Sequence, residues 1–172
     1  MGTTLDLVYQ YRYLIGKCES GRGLEVEEIE QLIDLEAFFG VHDRRGNSDL
    51  WECRRQYHRE RVDLPATLRG DKLADRVTVI DLGPGGLVCT DVPYVEVGTT
   101  LEIVFEDLEL RQSHRFRAVV AWRRDQDEED YVVGLELIGT PLLVRYGPPS
   151  APVQRPVESD DVTTAKLDRV AA

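Results

Sequence analysis

The stretch that decides the fold is "TVIDLGPGGLVCTD", Thr78–Asp91. A hydrophobic run, Val77 to Ile80, meets Asp81, and Gly83, Pro84, Gly85 and Gly86 follow before a second apolar run, Leu87 to Cys89. Two short β-branched runs divided by glycine and proline read as strands joined by a tight turn. Glycine loses more conformational freedom on folding than any other residue. Such a cluster therefore marks either unusual backbone angles or a close approach by other atoms. The turn is then either a simple hairpin or a platform on which something is laid.

Outward from this turn the period of two continues. "RVDLPATLRG" (61–70) alternates, with Val62, Leu64, Ala66 and Leu68 on one face. "RVTVIDL", "GLVCTD", "TTLEIVFEDLEL", "HRFRAVVAWRR" and "YVVGLELIG" follow, the last ending at Gly139. Six candidate strands with short gaps and no helical pattern between them imply an antiparallel barrel or sandwich. Strand parity points Val62, Leu64, Val77, Val79, Leu87, Ile103, Phe105, Val119, Ala121, Val133 and Leu135 inward. "VPYVEVG" (92–98) reads as a loop and "DQDEED" (125–130) as a solvated hairpin tip. "TPLLVRYG" (140–147) is a last short helix or strand.

Ahead of the strands the period is helical. In residues 4–18, Leu5, Val8, Tyr11 or Arg12, Ile15 and Cys18 recur at three- and four-residue spacing, with Leu14 beside them. In residues 25–39, Val26, Ile29, Leu32, Ile33, Leu35 and Phe39 supply an apolar face, acidic residues fill the first turns, and Gly40 is a stop. Two short helices cannot bury two apolar faces alone, so they pack on the rest of the chain or on another copy. The expected organisation is a helical hairpin at 1–40, a linker at 41–53, a barrel domain at 54–147 and a disordered tail at 148–172, where large apolar residues are few.

Composition removes several function classes. The chain has 172 residues and a formal net charge of -11, the wrong sign for a general DNA or RNA binder. No apolar run approaches the roughly 20 residues that cross a bilayer, so no membrane insertion is expected. The N-terminus lacks the basic and apolar regions of a signal peptide. Cys18, Cys53 and Cys89 are odd in number and widely spaced. They argue against a disulfide framework or zinc site, fit a reducing cytoplasm, and read as buried thiols. His42, His58 and His114 have no metal-ligand spacing, no serine sits in an elbow, and no P-loop or dinucleotide fingerprint occurs, so no catalytic reading stands.

The charge is uneven, however. "ECRRQYHRER" (52–61) carries Arg54, Arg55, Arg59 and Arg61, and Arg44 and Arg45 lie upstream. A local basic cluster on an acidic chain suits a small anionic ligand better than a long polyanion. Arginine forks match phosphates and the O6/N7 edge of guanine. An aspartate and exposed N–H groups in a glycine turn can complete such a contact.

This pair of elements resembles the PilZ domain, the bacterial receptor module for cyclic di-GMP. Its pattern is Arg-x-x-x-Arg followed downstream by Asp/Asn-x-Ser-x-x-Gly. Arg55 and Arg59 match the first motif, with Arg54 as an extra arginine; Asp81, Gly83 and Gly86 match the second, with glycine at 83 where the family has serine. A register with Arg61 as the second arginine would put Tyr57 first and break the motif, whereas "LP" at 64 and 65 fits Arg55/Arg59. "AWRR" and "YVVGLEL", within Ala121–Leu137, extend the likeness, which covers about residues 54–140.

The resemblance implies a mainly β fold, a six-stranded antiparallel PilZ-like β-barrel behind an N-terminal helical hairpin. It implies a non-catalytic signalling protein without cofactor or metal. Its ligand would be cyclic di-GMP, held by Arg54, Arg55, Arg59, Asp81, Gly83 and Gly86. Arg55 and Arg59 would clamp phosphates and guanine of an intercalated dimer, and Asp81 would meet guanine. It further implies a cytoplasmic bacterial protein that acts through an unidentified protein partner on motility, pili or exopolysaccharide, with a homodimer through the N-terminal helices as an option. The glycine at 83 opens the alternative of a degenerate PilZ adaptor that binds no nucleotide and works by protein contacts in motility or polarity.

Overall fold

The structure, a computed structural model, describes residues 3–40, 57–71, 73–126 and 130–147. Arg44, Arg45, Cys53, Arg54, Arg55, the expected linker and the expected disordered tail lie outside the described residues. Within them, six antiparallel strands close a barrel, not a sandwich: β1 (Glu60–Arg69), β2 (Ala74–Gly83), β3 (Gly86–Val92), β4 (Thr100–Asp107), β5 (Gln112–Asp125) and β6 (Tyr131–Arg145). Around the barrel the order is β1-β2-β3-β6-β5-β4. Two seams join strands distant in sequence. Leu87 of β3 lies opposite Leu135 of β6, and Thr67–Arg69 of β1 lie opposite Glu102–Val104 of β4.

The interior is filled by one face of each strand. Leu68, Val79, Leu87, Ile103, Val120, Val133 and Leu135 are at most 1% exposed. Burying a side chain of this size contributes about 1.5–3 kcal/mol. Val62 and Leu64 are half-buried at the edge of this core. On β5 the parity differs from expectation: Phe116, Ala118 and Val120 point inward, Val119 is half-buried and Ala121 is exposed. The run Ala118–Ala121 is apolar on both parities, so its own pattern does not choose. Arg115 and Arg117 choose, because turning Val119 inward would carry both guanidinium groups into the barrel.

The segment "TPLLVRYG" continues β6 as a strand as far as Arg145. Between Ile138, opposite Arg117, and Leu142, opposite Arg115, the pairing register shifts, and Gly139 adopts a φ of 65°. This bulge carries Gly139, Thr140 and Pro141 off the regular ladder.

The helices α1 (Thr4–Glu19) and α2 (Val26–Phe38) form where the helical period predicts them. Thr3 and Asp6 cap α1 reciprocally, and at the start of α2 the Glu28 carboxylate accepts from the Glu25 N–H at 2.9 Å. Lys17 Nζ on α1 meets Glu28 on α2 at 2.6 Å. α1 docks on the bulge of β6. A Cβ on Gly16 would stand 2.1 Å from Thr140 Oγ1, and Arg12 Nη2 donates to the Gly139 carbonyl at 2.8 Å. Thr4 donates to the Glu60 carboxylate at the start of β1. Val8, Tyr11, Leu14, Leu35 and Phe39 join the barrel core, so the hairpin packs on its own domain.

Two expectations fail on the helices. Val26, Ile29 and Ile33 are 68%, 45% and 59% exposed, because α2 docks through Leu35 and Phe39, on the other side of the helix. Cys18 is exposed at the end of α1; Cys89, on the inner face of β3, is buried.

Candidate functional site

The chain reaches β1 through Tyr57, His58 and Arg59, and these three residues run across the β2–β3 turn. Gly83 and Gly86 face each other in the register, with Pro84 and Gly85 between them. Proline fixes φ near −65°, which excludes the left-handed first position of the usual two-residue hairpin turns. Nor do Gly83, Gly85 and Gly86 have positive φ. Backbone angles therefore do not account for these glycines; space does.

A Cβ on Gly83 would lie 2.9 Å from Arg59 Cγ and 2.9 Å from the His58 carbonyl oxygen. On Gly86 it would lie 2.4 Å from the Leu135 carbonyl oxygen and 3.2 Å from Arg59 Nη2, and on Gly85 3.2 Å from the Tyr57 ring. The glycine backbone is a floor, and the chain's own arm, Tyr57–Arg59, lies flat on it.

Arg59 runs along this floor to Asp81, with Nη1 4.0 Å from Oδ2 and each side chain about three-quarters covered, 25% and 24% exposed. A pair of this exposure and distance adds less than about 1 kcal/mol to stability. Its effect is to hold a cation and an anion side by side at the rim of bare backbone. Arg61 lies opposite Asp81 in the β1–β2 register with its side chain exposed, so the arginine whose guanidinium meets Asp81 is Arg59.

The other end of the arm is tied to the helices. The Tyr11 hydroxyl donates to the Tyr57 hydroxyl at 3.0 Å, with the rings edge to face at 5.6 Å. Burial and then this hydrogen bond hold the Tyr11 hydroxyl well above the usual tyrosine range, so it stays a neutral donor. The His58 N–H donates to the Phe39 carbonyl at the end of α2, at 3.0 Å.

Away from the turn, the indole of Trp122 lies over Gly134, where a Cβ would come within 2.2 Å of its ring. Arg123 sits between the rings of Tyr94 at 4.2 Å and Tyr131 at 5.0 Å and donates to the Val95 carbonyl at 2.7 Å, which pins the loop before β4. The Cys89 thiol is pushed up to about 12 by burial. Among the described residues no group of three or more His, Cys, Asp or Glu is placed to hold a metal ion, and no helix is long and apolar enough to cross a membrane.

The PilZ domain family matches residues 54–143, just over half of the 172-residue chain. The chain belongs to the PilZ domain family. The matched span of the PilZ domain begins just ahead of Tyr57 in the sequence, takes in the glycine turn and reaches into β6. No curated protein matches the chain. Among solved structures it is similar to the Bacillus subtilis inhibitor of motility MotI/DgrA, at 22% identity and a TM-score of 0.42. That likeness covers 51% of this chain and 43% of the other, so the chain spans less than half the length of that structure.

Of the residues singled out from the sequence, Arg59, Asp81, Gly83 and Gly86 come together at one place on the barrel. Arg54 and Arg55 lie outside the described residues. Sequence reasoning missed Tyr57. It stands inside the Arg-x-x-x-Arg motif at a position where the pattern specifies nothing, so only its aromatic character could have drawn notice.

Proposed function

We propose that this chain is a non-catalytic PilZ signalling protein that receives cyclic di-GMP at the Asp81–Gly86 turn. The observation that carries the reading is Arg59 beside Asp81 over a floor of glycine backbone. A guanidinium there can fork onto phosphate or a guanine edge, a carboxylate can accept from the guanine N–H groups, and glycine lets a flat ligand reach the backbone. Arg54 and Arg55, shortly before Tyr57 in the sequence, would complete the cation set, and Gly83 and Gly86 provide the close approach. Residues 54–147 form the receiving domain. The protein works in the cytoplasm on motility, pili or exopolysaccharide through a protein partner. The exposed Val26, Ile29 and Ile33 of α2 support a protein contact at the helices, with that partner or with a second copy.

A second reading has its own support. The space that a side chain at position 83 would need is filled by His58 and Arg59, and the serine hydroxyl of the family is missing there. A domain with a filled floor and no hydroxyl suits a degenerate adaptor that binds no nucleotide. Calorimetric titration with cyclic di-GMP, with GTP and cyclic di-AMP as controls, separates the two. The receptor reading expects heat with cyclic di-GMP alone, and weaker binding in Arg59→Ala. Absence of heat at high micromolar protein and nucleotide overturns it in favour of the adaptor.

A further inference from the structure

α2 carries two apolar sides, and the fold uses one of them. Leu32, Leu35 and Phe39, spaced by three and four residues, lie on the side turned inward, where Phe39 packs edge to face on Tyr11 of α1 at 5.8 Å. Val26, Ile29, Ile33 and Ala37, spaced by three, four and four residues, make the opposite side, and all four are exposed. This is the spacing of a coiled-coil seam, whose apolar residues enter gaps on a facing helix.

The charge beside the seam decides what can lie on it. Glu27, Glu30 and Asp34 border it on one side and Glu36 on the other, and Val26–Phe38 contains no lysine or arginine. Among the described residues the one ion pair of α2 is Lys17–Glu28, and it lies on the side turned to α1. A second copy of α2, in either direction, would set carboxylates against carboxylates. An anionic bilayer surface is opposed on the same ground. A helix whose own seam is bordered by lysine or arginine meets the reverse: each flanking carboxylate faces a cation, which sets register and selects the partner. The seam spans about three turns, so the contact is small and belongs to the kind that forms and releases.

We propose that the seam of Val26, Ile29, Ile33 and Ala37 on α2 is the docking surface for a basic amphipathic helix of another protein. This names the chemistry of the partner contact in the signalling reading above and rests on that reading. It needs no nucleotide, so it is common to the receptor and the adaptor.

Two synthetic helical peptides of about three heptads test it on the full chain. Both have leucine and isoleucine in the seam; one carries lysine beside it and the other glutamate. Anisotropy of the labelled peptide reads binding, and sedimentation velocity of the chain alone reads self-association. The lysine peptide is expected to bind, and the glutamate peptide to bind at least about tenfold more weakly. Ile33→Asp separates the seam from simple charge. It makes the helix more negative, so attraction by charge alone would tighten, whereas loss of one buried branched side chain weakens binding by about tenfold or more. Glu30→Lys combined with Asp34→Lys is expected to reverse the preference between the two peptides. Positions 30, 33 and 34 are exposed, so these variants keep the fold. Absence of lysine-peptide binding, equal binding of the two peptides, or unchanged or tighter binding by Ile33→Asp overturns the proposal. A dimer of the chain that Ile33→Asp dissolves also overturns it, since the occupant is then a second copy. The calorimetric titration with cyclic di-GMP judges the receptor reading separately, so each can fail with the other standing.

Discussion

Substituting serine for Gly83 sets two effects of known size against each other. The new Cβ would stand 2.9 Å from the His58 carbonyl oxygen and 2.9 Å from Arg59 Cγ. Both contacts are inside van der Waals range, the second by nearly an ångström, so the arm has to move outward. Overpacking of this extent costs about 1–3 kcal/mol, and the cost falls on the form in which the arm lies on the turn. In the bound form the serine hydroxyl would add one ligand hydrogen bond, worth about 0.5–1.5 kcal/mol. Because ligand and arm compete for one floor, the two terms act in the same direction on affinity. Even near the lower end of their sum, a gain of about 2 kcal/mol corresponds to about thirtyfold tighter binding. The same variant should unfold at lower urea concentration than wild type. Calorimetry with cyclic di-GMP and urea titration of the free proteins measure the two quantities. A variant that is destabilised and binds more weakly than wild type would refute the competition, because the serine would then be obstructing the ligand rather than the arm.

Other perturbations follow from contacts described above. Arg59→Ala should weaken cyclic di-GMP binding by about tenfold to a hundredfold, since a forked charged contact is worth about 1.5–3 kcal/mol; an unchanged dissociation constant would remove Arg59 from the site. Gly16→Ala gains roughly 1 kcal/mol of helix propensity but drives a methyl group into Thr140, so a net loss in urea stability is expected, and a gain would show that α1 docks differently. Gly134→Ala should expel the Trp122 indole and shift its fluorescence to the red in a Trp51→Phe background. Burial holds the His114 pKa below its ordinary value of 6.5, against the opposing pull of Asp6 and Asp107. The unfolded chain accepts a proton there that the folded chain resists, so this stability is complete above about pH 6.5 and is lost as the pH falls below it. Urea midpoints should therefore drop more steeply between about pH 7.5 and 5.5 in wild type than in His114→Gln; parallel curves would refute the assignment.

The barrel was legible because its strands alternate and its turns carry glycine and proline, signals that are local. Where alternation lapsed, the reading failed. In "RAVVA" both faces are apolar, and only the flanking arginines, which lose far more by burial than valine loses by exposure, carry the register. On α2 the apolar residues span too much of the circumference for their positions alone to say which side docks. α2 lies mainly against α1, with Phe39 edge to face on Tyr11, so the side carrying Leu35 and Phe39 goes in while Ile29 and Ile33, on the other side, stay out. The candidate site divided in the same way. Arg59, Asp81, Gly83 and Gly86 form a sequence pattern, whereas the part played by Tyr57 depends on Tyr11, a residue 46 positions earlier that no local rule connects to it.

The docking of α1 on the bulge of β6 also sets a timetable. Gly16 and its contact Thr140 are separated by about 120 residues, so at about 5–20 residues per second the helix waits roughly 6–24 s of synthesis for its seat to exist. Over that interval Val8 and Leu14 await β6, with α2 beside them and Lys17 and Glu28 as the charged tie, while Tyr11 can meet Tyr57 once the arm has emerged. The arm and the glycine turn, by contrast, emerge within about thirty residues of each other and can meet early. The nascent chain thus has its arm and glycine turn before α1 has its seat on β6.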